Sequence, residues 1–166
     1  MKRLTTLLVV LVAAIVTAVF APMAAADQPE ISQKTTSLTT VLTGVCSFPV
    51  AVDATMTETD RFFSDHDGVL TRASANVTEQ DAFSANGESL TGLPYTFNLE
   101  AQFDSSGNIT QLHAEGVIER VPLPDGTVFQ SDGRVDFVAQ GFPDFSVTPT
   151  VGNAVNLDGF CAALSA

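Results

Sequence analysis

The side-chain types that most often bind ligands or do chemistry are scarce in this sequence, which has one tyrosine, two histidines and no tryptophan. Tyr95 lies on the apolar face of an alternating stretch, so its hydroxyl needs a buried partner or a cavity water. His113 and Arg134 lie on polar faces. The arginine has Asp132 and Asp136 on its own strand, or Glu119 on a neighbouring strand, as candidate partners. We therefore take Tyr95, His113 and Arg134 as candidate ligand-binding residues.

No known catalytic constellation is visible. The Gly-x-Ser-x-Gly motif of many serine hydrolases is absent. Glu115 and Glu119 are placed on one polar strand face with His113, but a glycosidase normally adds aromatic sugar platforms that this composition lacks. We assign no catalytic residues, and the sequence favours a protein without enzymatic activity.

The turn Asp65-His66-Asp67-Gly68 is the best candidate for a metal site, and calcium is the ion that its oxygens would suit. The turn lacks the third ligand and the distal glutamate of an EF-hand, so we interpret it as a solvated acidic turn. Two cysteines and two distant histidines have no zinc spacing. No metal and no other cofactor is expected.

The first 26 residues have the features of an export signal. Lys2 and Arg3 precede an apolar run over residues 7–20, and Ala24-Ala25-Ala26 fits the small-x-small pattern cut by signal peptidase. An uncleaved membrane anchor is the alternative, but the run is short for a full span. The sequence thus predicts a signal helix over 1–26, cleavage after Ala26, and a secreted, extracellular protein without a membrane contact after cleavage.

Export bears on the two cysteines, Cys46 and Cys161, which pair by default in an oxidising compartment. Export also makes the net charge of the chain more negative. The chain has 19 acidic and 7 basic residues, and two of the basic ones leave with the signal. Such a surface repels nucleic acid and anionic lipid. Neither is an expected partner, and the oligomeric state is left open.

The elements that must position these residues are β-strands. After a polar segment over 27–40, interpreted as a flexible leader, residues 41–166 form one domain of alternating strands and short turns. The clearest strand places Tyr95, Phe97 and Leu99 on one face and Glu100 on the other. The pattern predicts an all-β antiparallel meander, either a closed or nearly closed up-and-down barrel or, alternatively, a β-sandwich, with the disulfide joining the first long strand to the last.

Two short motifs resemble a family of small secreted actinobacterial proteins. Cys46-Ser47-Phe48-Pro49-Val50 matches a C-x-F-P-V start, and Cys161-Ala162-Ala163-Leu164 matches the end of the β-rich domain in that family. The resemblance implies export and a disulfide, and no activity, because the family is uncharacterised. A looser likeness in strand order and length relates the chain to the barrels of allene oxide cyclases and dirigent proteins.

Three functions are compatible with these observations. The first is a non-catalytic binding or interaction module, with a small apolar ligand as its candidate partner, because the predicted inner face is rich in phenylalanine. The second is an isomerase or cyclase acting on an apolar substrate, which requires a cavity holding Tyr95 or an inward-facing acid. The third is a structural protein of the cell envelope, which requires neither a cavity nor a ligand.

Overall fold

The computed structural model describes residues 29–141 and 145–165, and the predicted signal peptide 1–26 lies outside these residues. The described part consists of eight strands and one short helix. The strands are β1 (Glu30–Leu42), β2 (Val50–Ser64), β3 (Leu70–Ala85), β4 (Glu88–Thr91), β5 (Tyr95–Phe103), β6 (Ile109–Pro122), β7 (Val128–Asp136) and β8 (Val151–Val155), and the helix is α1 (Leu157–Ala163).

The strands form one antiparallel sheet in the order β1-β2-β3-β5-β6-β7-β8, while β4 pairs with the end of β3. The all-β antiparallel prediction is confirmed. Among the described residues, β1 pairs only with β2 and β8 only with β7, so the sheet is not closed and the predicted barrel is not confirmed.

Part of the segment interpreted as a flexible leader is strand. From Glu30 the chain pairs with β2 through to Leu42, which is buried opposite Val50. The expectation for 27–40 is corrected here because threonine-rich segments have high β propensity even when they are polar. A polar strand of this kind carries little hydrophobic periodicity, which is why the segment resembled a linker.

The main core lies at one end of the sheet, around α1. Phe160 on the helix is fully buried, 5.1 Å from the ring centre of Phe83 on β3 and 5.0 Å from that of Phe129 on β7. The same cluster includes Leu42 and Val52 from β1 and β2. The sheet must therefore curl so that strands far apart in sheet order surround the helix.

Cys46 and Cys161 are bonded, with their Cα atoms 5.5 Å apart, as predicted. The elements that they join differ from the expectation. Cys46 lies in the irregular connection between β1 and β2, and Cys161 lies in α1. The bond thus joins a loop to the C-terminal helix, whereas the sequence had predicted a bond between two strands.

No helix among the described residues has the length and apolar character needed to cross a membrane.

Candidate functional site

Two acidic residues lie on the buried face of β3. Alternate residues of this strand point inward, and between buried Val77 and Phe83 the inward positions are Glu79 and Asp81, which are 4% and 1% exposed. The period of two that identifies Ala75 and Val77 as inward-facing continues through this pair. The inward direction of both acids is therefore readable from this period, although neither was among the predicted site residues.

Tyr95 of β5 lies directly opposite Glu79 in the sheet. Its ring is buried, and its hydroxyl donates a 2.7 Å hydrogen bond to Oδ2 of Asp81. The expectation that this hydroxyl needs a buried partner is thereby confirmed, and the partner is a carboxylate.

A third acid, Glu119, reaches the same place from β6. Its assignment to the polar face was wrong, because a β-bulge between Val117 and Glu119 shifts the register by one residue and turns this side chain inward. Glu119 is fully buried, and its Oε1 accepts a 2.7 Å hydrogen bond from the backbone N–H of Arg120. No local sequence signal marks the bulge.

The three carboxyls are unlike surface acids, because ionising all of them would leave buried oxygens without donors. With all three ionised, Glu79 Oε1, Asp81 Oδ1 and Glu119 Oε2 would have no hydrogen-bond donor among the described residues. Burial, reinforced by the charge of Asp81 and by hydrogen bonding to it, raises the pKa of Glu79 to about 8 and that of Glu119 to about 10. Protonated Glu79 and Glu119 can then donate to Asp81.

The pKa values of the two remaining members of the cluster, Asp81 and Tyr95, are shifted as well. Burial also raises the pKa of Asp81, but the hydrogen bonds that it accepts from Glu119, Tyr95 and Glu79 oppose this rise. Burial and the nearby acids raise the pKa of Tyr95, so this phenol stays protonated. Asp81 is therefore the acceptor at the centre of the cluster.

A half-open cavity of about 270 Å³ lies beside this cluster on the inner face of the sheet. Glu79 and Tyr95 both line it. Most of its remaining wall is apolar and comes from the inward faces of β3, β5 and β6 and from the segment after β7: Val77, Phe97, Leu99, Leu112, Ile118 and Phe137. The cavity is thus a mostly apolar site in which Glu79 and Tyr95 are buried polar groups.

Two more acids lie on the inward side of β2. Glu58 lines the cavity, and Asp60, two residues along the strand, is buried. Lys34 of β1 places its Nζ 3.6 Å from a carboxylate oxygen of each, while its own side chain is half exposed. The ammonium group of Lys34 is therefore already engaged by two carboxylates.

His113 and Arg134 lie away from the cavity. Ala114 and Val135 are buried inward, so His113 and Arg134, next to them in sequence, face the other side of the sheet. There Glu115 Oε1 is 3.8 Å from His113 Nε2 and 3.7 Å from Arg134 Nη1. Of the three candidate ligand-binding residues, the structure brings only Tyr95 to the cavity and joins the other two in an outer ion-pair cluster.

The acidic turn after β2 satisfies its own backbone. Asp65 Oδ1 accepts hydrogen bonds of 2.9 Å from the backbone N–H groups of Asp67 and Val69. His66 Nε2 is 3.2 Å from Asp67 Oδ2, and both side chains are exposed. The geometry is that of an aspartate-stabilised turn.

Comparisons of the chain with protein-family models, with curated proteins and with solved structures find no match.

Proposed function

We propose that this protein is a non-catalytic module that binds a small, mostly apolar molecule in the cavity on the inner face of its sheet. The observation that carries the proposal is the 270 Å³ cavity, which is walled mainly by aliphatic and aromatic side chains and holds a few polar groups. Small-molecule sites generally combine an apolar wall with a few polar groups that orient the ligand. Glu79 and Tyr95 are such groups here.

The buried acids support the same proposal. Three carboxyls in an apolar interior cost stability, since each must be kept neutral or hydrogen-bonded. Strongly shifted pKa values in a cleft are typical of functional sites. The acids of this cluster lie beside the cavity, and Glu79 lines it, so a ligand is the simplest reason for keeping them.

The test is to fill the cavity. Leu112→Trp adds bulk at a residue that lines the cavity, whereas Val128→Trp adds the same side chain at an exposed position outside it. Native mass spectrometry of protein from its own culture medium should show a bound small molecule in the wild type and in Val128→Trp, and none in Leu112→Trp. Bare polypeptide mass in all three would overturn the proposal.

We further propose that the module acts outside the cell. The disulfide supports this, because such bonds persist in oxidising compartments, and so does the predicted signal over 1–26. The resemblance to secreted actinobacterial proteins points the same way. N-terminal sequencing of protein recovered from the medium should begin at Asp27, and recovery only of uncut chain from the cell would contradict the proposal.

An isomerase or cyclase is the second candidate, and one observation favours it. Burial raises the pKa of Glu79 to about 8, so this cavity-lining carboxyl holds a proton at neutral pH and can act as a general acid. Glu79→Gln would then abolish turnover of an apolar substrate while leaving its binding intact. The third candidate, a structural envelope protein, gives no reason for a cavity with buried acids.

A further inference from the structure

We propose that the molecule bound in this cavity is a hydrophobic amine, whose ammonium group pairs with Glu79 while its apolar part lies against the aromatic and aliphatic wall. The inference rests on the proposed binding function and names its ligand class. It adds a charge requirement that the shape of the cavity does not supply.

The first observation is the position of Glu79. This side chain is 4% exposed and lines the cavity, and its Oε1 has no hydrogen-bond donor among the described residues. When Glu79 ionises it can no longer donate to Asp81, and its buried oxygen is then costly until another donor reaches it. A primary ammonium group brings three donors and a positive charge.

The second observation is a missing counter-charge. No ion pair among residues 29–141 and 145–165 includes Glu79, Asp81 or Glu119. Lys34, on β1 beside the cavity, is held by Glu58 and Asp60. The acids of the cluster therefore have neighbouring acids and a phenol around them, and a cation has to come from outside.

The third observation is the aromatic part of the wall. Tyr95 and Phe97 stack with ring centres 6.1 Å apart, and both line the cavity. Aromatic faces attract cations, and aromatic rings beside carboxylates are a usual surrounding for alkylammonium groups. An anionic ligand would meet Glu58 as well as Glu79, so this wall selects against carboxylates.

Protonation then links binding to pH. The groups that face Glu79 are Asp81 on its own strand, Tyr95 on β5, Glu119 on β6 and Glu58 on β2. Because its pKa is raised to about 8, Glu79 is ionised in about a tenth of the molecules at pH 7. An amine selects that form, so its affinity should rise between pH 6 and pH 8, a range in which an alkylamine keeps its proton.

Three probes of similar size separate charge from shape: 2-phenylethylamine, 2-phenylethanol and phenylacetate. Titration calorimetry on the disulfide-bonded protein should show the amine binding at least about tenfold more tightly than the alcohol at pH 7.5, with no binding of the carboxylate. The affinity for the amine should increase from pH 6 to pH 8, by at most about tenfold per pH unit, while the affinity for the alcohol stays constant.

Matched variants identify the carboxyl. Glu79→Gln keeps the shape and removes the charge, so amine affinity should fall at least about tenfold while alcohol affinity changes less than about twofold. Glu88→Gln removes the same charge from an exposed position on β4 and should change neither. Retained alcohol binding also shows that the variant is folded.

Three other results would contradict the amine inference. If the alcohol or the carboxylate binds as tightly as the amine, the amine inference is wrong and the binding function stands. If amine affinity survives Glu79→Gln, the ammonium is not held by this residue and the inference is wrong. If none of the three probes binds, the inference and the proposed function both fail.

Discussion

Asp81 is the residue on which the buried cluster depends. It is 1% exposed and accepts the hydrogen bond of Tyr95, and the carboxyls of Glu79 and Glu119 lie within hydrogen-bonding reach. A carboxylate can be buried when charge-neutral donors surround it, because each hydrogen bond offsets part of its lost hydration. The cluster therefore works as one unit, and removing one member affects the protonation of the others.

Tyr95→Phe tests that unit. Loss of the hydroxyl leaves Asp81 Oδ2 without its 2.7 Å donor, so we expect the free energy of unfolding to fall by about 1–3 kcal/mol. Urea denaturation at pH 7 measures the change. Thr96→Ala, at the adjacent exposed position, should stay within about 0.5 kcal/mol of wild type. Equal stability of wild type and Tyr95→Phe would show that the phenol does not support Asp81.

The raised pKa values of Glu79 and Glu119 predict how stability depends on pH. Their folded pKa values, about 8 and about 10, exceed the unfolded value near 4.5, so the folded state binds more protons between these limits. Their contribution to stability is fully present below about pH 4.5 and is lost as pH rises towards 8 and 10, with a slope of at most about 1.4 kcal/mol per pH unit for each group.

Urea midpoints measured from pH 5 to pH 8 should therefore fall. The histidines and surface acids also titrate, so the informative quantity is the difference between wild type and Glu79→Gln, in which one of these groups cannot ionise. The variant should lose less stability with rising pH. A wild type whose midpoint stays level or rises over this range, in parallel with the variant, would contradict the raised pKa of Glu79.

At the scale of elements, the strand pattern was predictable and its irregularities were not. Alternation correctly placed Tyr95, Phe97 and Leu99 on one face, which is the inner face of the sheet. The inward direction of Glu79 follows from the same alternation, so that half of the site was readable from the sequence. Glu119 was not, because a bulge depends on the pairing of two strands and leaves no local pattern.

The end of the chain shows a second limit. A last strand was predicted to hold Cys161, and this cysteine instead lies in α1, which is 7 residues long. A helix of two turns is too short to display a 3.6-residue period, and packing in the core decides its conformation. The disulfide pairing was predictable because only two cysteines exist, but the elements that it joins depended on this helix.

Close approach of β7 and β8 depends on a glycine pair. Gly133 and Gly152 are opposite each other, both with positive φ, and a Cβ on Gly152 would lie 2.8 Å from the Cα of Gly133. Gly152→Ala should cost about 1–3 kcal/mol and weaken amide-exchange protection in β8 first. Asn153→Ala, exposed and adjacent, should leave both unchanged. Normal protection of β8 in Gly152→Ala would show that the two strands accommodate the added Cβ and stay paired.

On the scale of the whole molecule, the core lies at one end of the sheet and the cavity lies next to it, with Phe145 in contact with both. The cluster around Phe160 and Leu164 anchors α1 against strands from both halves of the sheet. Ala114, Ile118 and Val135 form a smaller cluster against Phe97 and Leu99, which line the cavity. Loss of the helix should therefore loosen the curl of the sheet before it disturbs the residues of the site.

Removing the disulfide tests whether the helix and the cavity are independent. The bond holds α1 to the loop before β2 across a separation of 115 residues. Replacing Cys46 and Cys161 together by alanine removes that constraint from the unfolded chain, and we expect the free energy of unfolding to fall by about 4–5 kcal/mol in the chain-entropy model. Urea denaturation with and without reductant measures it: reductant should lower the wild-type midpoint to that of the double variant and leave the variant unchanged. At low urea the folded variant should still bind the probe amine, since no residue of α1 is among those that line the cavity. A folded variant that binds no ligand would show that the curl set by α1 also shapes the cavity.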